Sequence, residues 1–92
     1  MKFLATKEWK QLRSRHLAKE PRCVLCGGDE KLVVHHVLYR RFYSRHRLAA
    51  WNLATLCKSC HYKVHKSSWG LKLAEWLKKH RPKDWKTIMA NV

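Results

Sequence analysis

The sequence predicts a small α+β fold, and three features of the chain support that prediction. The chain has 92 residues, a length typical of one domain with a small hydrophobic core. Two Cys-x2-Cys pairs are typical of a bound metal, which supplies stability that a small core lacks. Segments with helical periodicity flank a short segment rich in β-branched side chains. We therefore expect a single domain over residues 1–92, with a core motif at about 22–66 and helical extensions at 6–19 and 70–90.

The first predicted element is a helix over residues 6–19. Thr6 is a suitable N-cap residue, and Trp9 and Leu12 begin an apolar face at helical spacing. Pro21 ends the helix, because a proline cannot continue the hydrogen-bond pattern.

The middle of the chain predicts two short strands joined by a long loop. Residues 31–37 are rich in β-branched side chains, and a second short strand runs from Asn52 to Leu56. Residues 38–51 have no clean period and interleave arginine with aromatic side chains. They predict a loop that contains a helical turn between about 40 and 50.

Short helices are predicted after the second strand. Ser59 can cap a helix at about 60–67, and a further helix is expected at 71–80. The apolar face of that second helix carries Leu71, Ala74 and Leu77. Pro82 stops it, and residues 83–90 add a last helical turn or two.

The balance of charge indicates a polyanionic partner. Lysine and arginine total 21, aspartate and glutamate total 6, and the net charge is +15. The apolar runs are too short for a transmembrane helix, and no long amphipathic basic helix favours a membrane surface. We expect nucleic acid as the partner, with no membrane and no small-molecule substrate. The apolar run Phe3-Leu4-Ala5 is too short for a signal peptide, so we expect a cytoplasmic protein.

The four cysteines predict a structural zinc site. They are Cys23, Cys26, Cys57 and Cys60. Two Cys-x2-Cys pairs at this separation are typical of tetrahedral zinc, and Gly27 frees the backbone for the tight turn within the first pair. Two disulfides are the alternative, but they require an oxidising compartment and hence export. Four thiolates fill every coordination position of a tetrahedral zinc ion, so we do not expect catalysis at this site.

Four of the seven histidines form a second candidate metal site. His35 and His36 are adjacent on a strand and therefore point to opposite sides, whereas His61 and His65 share a helix face. No aspartate or glutamate occurs from residue 31 to residue 74, so a metal there must be bound by imidazole. Three imidazoles leave open coordination positions and favour zinc, nickel or manganese over magnesium. The alternative is a solvated basic face that contacts phosphates.

The order of these residues resembles the HNH endonuclease family. The resemblance is carried by Cys23-x2-Cys26, Val34-His35-His36, Asn52-Leu53 and Leu56-Cys57-x2-Cys60-His61. The opening from Trp9 to Gly27 is similar to small HNH proteins of bacteriophages, and the whole resemblance covers about residues 9–66. It implies a ββα-metal, treble-clef-like motif, in which two antiparallel strands and a helix hold one catalytic divalent ion.

The resemblance also implies a function. It implies a metal-dependent DNA endonuclease that hydrolyses phosphodiester bonds and leaves a 5′-phosphate and a 3′-hydroxyl. It further implies a phage-encoded nuclease that nicks DNA or acts beside a DNA-packaging terminase, in the cytoplasm of a bacterial host. The alternative is a non-catalytic zinc-finger module that binds nucleic acid. The histidine and asparagine set favours the nuclease, because a pure binding module does not need it.

Site roles follow from the resemblance, position by position. His36 matches the general base, and His35 matches the metal ligand that precedes it. Asn52 matches the asparagine that holds the loop and thereby the base. His61 matches the final metal ligand, and His65 is similar to an additional ligand of the colicin-type members.

The sequence departs from the family in two respects. The segment 37–51 is basic and aromatic where family loops are often rich in aspartate and glycine, which indicates heavier DNA contact. His35 stands where phage members often have aspartate, which shifts the expected ion from Mg²⁺ towards Mn²⁺, Ni²⁺ or Zn²⁺. The candidate DNA-contacting residues are Arg40, Arg41, Arg45, Arg47, Lys58, Lys63 and Lys66.

Overall fold

The computed structural model describes residues 3–92 and has an α+β architecture, as predicted. Within those residues the helices and strands are α1 Lys7–Lys19, β1 Leu32–His36, β2 Leu53–Cys57, α2 Lys58–Lys66, α3 Trp69–His80 and α4 Pro82–Ala90. Short 3-10 turns lie at Phe3–Ala5, Ser44–His46 and Ala50–Asn52. The last two are helical turns in or next to the loop that joins the strands. No described helix combines the length and apolar character needed to cross a membrane.

The two strands form an antiparallel hairpin whose register decides where the histidines point. His35 lies opposite Ala54, and His36 lies opposite Leu53. Directly opposed residues project from the same face of a sheet, and successive residues alternate between faces. His35 and His36 therefore point to opposite sides of the hairpin.

The hairpin is packed on both faces. On one face Leu53 packs with Trp9 and Leu12 of α1. On the other face Ala54 and Leu56 contact the larger core. That core is completed by buried residues of the three C-terminal helices: Cys60, Val64, Leu73, Leu77 and Ile88. This alternation explains why every residue from Leu53 to Leu56 is buried.

Helix α1 begins and ends as its sequence predicts. The Thr6 side chain accepts a hydrogen bond from the Trp9 backbone N–H at 3.3 Å, which caps the helix N-terminus. The helix ends at Lys19, two residues before Pro21.

The predicted cap of α2 was wrong. The helix begins at Lys58, and the cap is Cys57, whose Sγ accepts from the Cys60 backbone N–H at 3.4 Å. N-cap propensities favour side-chain oxygens such as that of Ser59, so the sequence prediction placed the cap two residues too late. The second strand is also shifted by one residue, because Asn52 belongs to the preceding turn.

The predicted buried face of α3 was partly wrong. The helix begins earlier than predicted, at Trp69, and Leu73 and Leu77 are the buried residues. Leu71 remains 71% exposed. Leu77 lies in the core as predicted, but the face is rotated because α3 packs against both α2 and α4.

A buried ion-pair network ties the end of α1 to the hairpin and to the α3–α4 junction. Glu20 accepts hydrogen bonds from His16 Nε2 at 2.9 Å, the Thr55 backbone N–H at 2.8 Å and Arg81 Nη1 at 3.3 Å. Arg81 Nη1 also donates to the Leu53 carbonyl at 2.7 Å. The charged side chains of Glu20 and Arg81 are both mostly buried. Each therefore offsets the free-energy cost of removing the other's charge from water.

We expect Glu20→Gln to destabilise the fold at neutral pH and to do so less in acid. Burial raises the pKa of Glu20, but the bonds from His16 and Thr55 and the charge of Arg81 outweigh it and lower that pKa. The ionised carboxylate therefore contributes stability above its unfolded pKa, and this contribution is lost as pH falls through the lower, folded pKa. Glutamine resembles the protonated acid, so the expected loss is about 1–3 kcal/mol at pH 7 and shrinks at low pH.

The free energy of unfolding in urea is measured for wild type and Glu20→Gln from neutral to acidic pH. Glu75→Gln is the matched control, since Glu75 is exposed on α3. The comparison is confined to pH values at which all three proteins are folded before urea is added. A Glu20→Gln deficit that is independent of pH would contradict the assigned role of the carboxylate charge.

Candidate metal centres and active site

The four cysteines converge on one point. Cys23 and Cys26 lie between α1 and β1, Cys57 ends β2, and Cys60 lies in the first turn of α2. Their Sγ atoms all lie within 4.8 Å of one another, and the Cys26 and Cys57 Sγ atoms are 3.7 Å apart. Two thiolates on a tetrahedral zinc ion are about 3.8 Å apart, given Zn–S bonds of about 2.3 Å. The set fits a four-cysteine metal site, and the separation is far longer than the roughly 2.05 Å of a disulfide.

A glycine turn aims the first cysteine pair. Gly27 has φ of +78°, a left-handed conformation that side chains other than glycine rarely adopt. Its N–H donates to the Cys23 carbonyl at 2.9 Å, and the Gly28 N–H approaches Cys26 Sγ at 3.5 Å. Burial alone would raise the pKa of Cys23, but backbone N–H groups directed at its sulfur lower that pKa to about 7. A thiolate is thereby favoured at Cys23, whereas burial raises the pKa of the Cys60 thiol.

The three predicted histidine ligands also converge. His35 projects from β1 towards His61 and His65 of α2, and ring nitrogens of the three lie within 4.8 Å of one another. The Nε2 atoms of His61 and His65 are 3.0 Å apart. Imidazole nitrogens on a tetrahedral ion are about 3.3 Å apart, given metal–nitrogen bonds of about 2.0–2.1 Å. The His61–His65 pair thus stands close to the spacing that one ion imposes, and His35 lies within reach of the same ion.

Helical periodicity and the cysteine site together explain this placement. In α2, Cys60 and Val64 are four residues apart and both are buried against the core. His61 and His65 follow them by one residue, about 100° around the helix. They therefore lie beside the buried face and towards β1. Because Cys57 and Cys60 flank the β2–α2 junction, a metal bound by the cysteines would also hold these histidines opposite His35.

The electrostatics of the histidine cluster suit a bound cation. Burial, together with the neighbouring charges of His61 and His65, lowers the pKa of His35 to about 3. Burial likewise lowers the pKa of His61. His35 and His61 are therefore neutral near pH 7 and keep the lone pairs that metal coordination needs. No carboxylate occurs in this stretch of sequence, so three imidazole nitrogens would bind the ion and leave coordination positions open.

His36 lies on the opposite face of β1 and is held by the loop. Its Nε2 bonds to the Arg47 backbone carbonyl at 2.9 Å, and since a carbonyl only accepts, Nε2 carries the proton. In the neutral ring Nδ1 then keeps a free lone pair. Burial lowers the pKa of His36, and the Arg40 charge adds to this against the opposing effect of the Arg47 carbonyl.

Asn52 fastens the loop that orients His36. Its side chain is fully buried, and its Oδ1 accepts from the Leu38 N–H at 2.7 Å. Its Nδ2 donates to the Leu38 carbonyl at 3.1 Å and to the His46 carbonyl at 3.3 Å. The His46 carbonyl immediately precedes Arg47 in the chain. Asn52 thus ties the start of the loop at Leu38 to the turn at His46, next to the carbonyl that contacts His36.

Both faces of β1 open into one cleft of about 470 Å³. The cleft is lined by Leu4, Trp9, Arg13, Val33, Val34, His35, His36, Tyr39, Arg40, Arg41, His61 and His65. Of the predicted DNA-contacting residues, Arg40 and Arg41 line it. The guanidinium of Arg47 lies 5.5 Å from the ring centroid of Phe3. The remaining predicted contacts are exposed elsewhere on the described surface: Arg45, Lys58, Lys63 and Lys66.

Sequence reasoning missed two aromatic side chains at this site. The ring centroid of Tyr39 lies 5.9 Å from that of His35 and 5.0 Å from that of His65. The Tyr39 ring therefore packs against one side of the histidine cluster. The Trp9 ring stacks on His36 at 4.8 Å. Tyr39 stands three residues after the histidine pair, which is a local signal. Trp9 gives no such signal, because its apolar spacing is equally satisfied by any buried contact.

Taken together, the hairpin, the following helix and the two side-chain clusters define a ββα-metal fold in which four cysteines converge beside three histidines. Residues 23–67 match the sequence model of the HNH endonuclease family. This segment is therefore an HNH endonuclease domain, a nuclease-type domain that implies DNA as the substrate. No curated protein and no solved structure matches the chain.

Proposed function

We propose that this protein is a metal-dependent DNA endonuclease with His36 as its general base and with His35, His61 and His65 as ligands of one divalent ion. The observation that supports this most strongly is the shared cleft, in which the three-histidine cluster and His36 lie on either side of one strand. Cys23, Cys26, Cys57 and Cys60 would hold a structural zinc ion, for which their geometry is suited.

The chemistry proposed is hydrolysis of a phosphodiester bond. An ion held by the three histidines would supply Lewis-acid stabilisation of charge on the phosphate and the departing 3′ oxygen. His36 Nδ1 takes a proton from water as the water oxygen bonds to phosphorus. The bond from phosphorus to the 3′ oxygen breaks, and that oxygen takes a proton from solvent water, which leaves a 5′-phosphate and a 3′-hydroxyl. The Arg47 carbonyl holds the ring, and Asn52 holds the adjacent His46 carbonyl and with it this part of the loop.

Arginines at the cleft are proposed to bind the DNA backbone. Arg40 and Arg41 line the cleft, and the Arg40 guanidinium lies 5.2 Å from the Phe3 centroid, which restricts its position. With a net charge of +15, long-range attraction brings DNA to the surface, and these side chains place a phosphate at the site.

Cleavage of an end-labelled DNA duplex tests the proposal. Wild-type protein is incubated with Mn²⁺, Ni²⁺, Zn²⁺ or Mg²⁺, and with a chelator, at a concentration that saturates binding. We expect ion-dependent strand cleavage, with product ends that a ligase can rejoin. Tight binding with intact strands under every condition would instead support the alternative, a non-catalytic zinc-finger module.

The salt dependence of binding tests the role of the cleft arginines. We expect Arg41→Ala to reduce the slope of log affinity against log salt by about 0.9, the effect of losing one phosphate contact on duplex DNA. The control is Lys86→Ala, since Lys86 is exposed on α4 and outside the cleft lining. Fluorescence anisotropy over a range of salt concentrations gives both slopes. Equal changes in the two variants would contradict a specific role for the cleft.

The biological setting stays a prediction from the family resemblance. That resemblance implies a phage-encoded protein that nicks DNA or works beside a DNA-packaging terminase, in the cytoplasm of a bacterial host. The described residues hold one histidine cluster, so a single encounter is expected to cut one strand.

A further inference from the structure

The aromatic residues that precede and begin α1 lie against His36. The Trp9 ring is nearly parallel to the His36 imidazole, with the centroids 4.8 Å apart and an interplanar angle of 29°. Phe3 meets the same imidazole edge-on at 6.0 Å and packs on Trp9 at 5.4 Å. Two aromatic rings therefore bound the imidazole on the side of the hairpin that faces α1.

These ring contacts restrict a rotation of the His36 imidazole that its hydrogen bond leaves free. The bond from Nε2 to the Arg47 carbonyl fixes one corner of the ring but leaves it free to rotate about that axis. A flat surface against the ring face removes this rotation, because tilting the imidazole would drive it into the indole. The ring plane then determines where the lone pair of Nδ1 points.

We propose that Trp9 is a positioning residue for the reaction, which orients His36 by stacking, with Phe3 completing the wall. The inference rests on the proposed function, since it assigns His36 as the base. Trp9 is only 4% exposed and packs with Leu12 and Leu53, so it also serves the core. A core role alone, however, requires apolar volume and no planar group, so its loss should appear in the melting temperature.

The test compares four proteins under conditions that separate binding from turnover. Trp9→Leu keeps an apolar side chain but removes the flat face, and Trp9→Phe keeps a flat face. Leu12→Ala is the matched control, because Leu12 belongs to the same helix and the same core cluster but has no ring contact with His36. Melting temperature, metal content, kcat and KM for duplex cleavage are measured for each.

We expect Trp9→Leu to lower kcat by about 10- to 100-fold with KM nearly unchanged. Displacing a catalytic group by about 1 Å has an effect of this size. Trp9→Phe should have a kcat close to that of wild type. Leu12→Ala should melt at a lower temperature than wild type but keep the wild-type kcat. Should Trp9→Leu not fold, Phe3→Leu replaces it, because Phe3 lies outside α1 and is half-exposed, and a reduced kcat is again expected.

Two results would overturn the inference. One is equal loss of kcat in Trp9→Leu and Leu12→Ala, and the other is wild-type kcat in Trp9→Leu. Both leave the nuclease proposal standing, because the wild-type protein still cleaves. Absence of cleavage by the wild-type protein is a different outcome, which removes the proposed function and this inference with it.

Discussion

Replacing His36 with alanine is expected to lower the rate of DNA cleavage by about 10²–10⁴-fold, the usual contribution of a positioned general base. DNA affinity and metal content should not change, because His36 lies on the face of β1 opposite to His35 and points away from the histidine cluster. His61→Ala should differ: it removes a ligand, so both cleavage and the second metal equivalent should be lost.

Single-turnover rates, together with metal analysis by atomic emission, distinguish these variants. The control is His80→Ala, since His80 is exposed at the end of α3, outside the cleft. Wild type, His36→Ala and His80→Ala should each bind two metal equivalents, and His61→Ala should bind one. A His36→Ala protein that cleaves at the wild-type rate would contradict the assignment of the base.

Removing the metal from the four-cysteine site is expected to unfold the protein. Structural zinc contributes about 10–16 kcal/mol of apparent binding free energy, whereas a small domain has a net stability of only about 5–15 kcal/mol. The cysteines also join separate elements, because Cys23 and Cys60 are both buried in the main core. Without the metal, this part of the core would enclose thiols with no common ligand.

Circular dichroism and amide proton dispersion measure this effect during chelation and on return of zinc. We expect Cys60→Ser to be unfolded and His61→Ala to stay folded, since only the former loses the structural site. A chelated protein that kept its folded spectrum and its cooperative melting would show that the hydrophobic core suffices by itself.

The parts of the site that could be predicted from sequence depend on local periodicity. The alternation of a strand separates His35 from His36, and the spacing of a helix brings His61 and His65 to one side. The cysteine spacing in turn predicts the turn at Gly27, which does adopt a left-handed conformation. Each of these features follows from residues that are close together in the chain.

The parts that sequence could not give depend on tertiary contacts. Trp9 shows an apolar spacing that fits any buried surface, and only the packing of α1 on the hairpin brings it to His36. Glu20 and Arg81 meet although they are far apart in the chain, so no local pattern signals their pairing. The cap at Cys57 was missed for a different reason, since residue propensities describe side-chain oxygens and not metal-binding sulfur.

The most direct test of the proposed nuclease is cleavage of a supercoiled plasmid. Wild type and His36→Ala are compared at matched DNA binding, with each of Mn²⁺, Ni²⁺, Zn²⁺ and Mg²⁺ and with a chelator. We predict that wild type converts the plasmid to the nicked circle only when a divalent ion is present, and that His36→Ala leaves it supercoiled while still binding. Plasmid that stays supercoiled with every ion, although wild-type protein is bound to it, would contradict the proposed function.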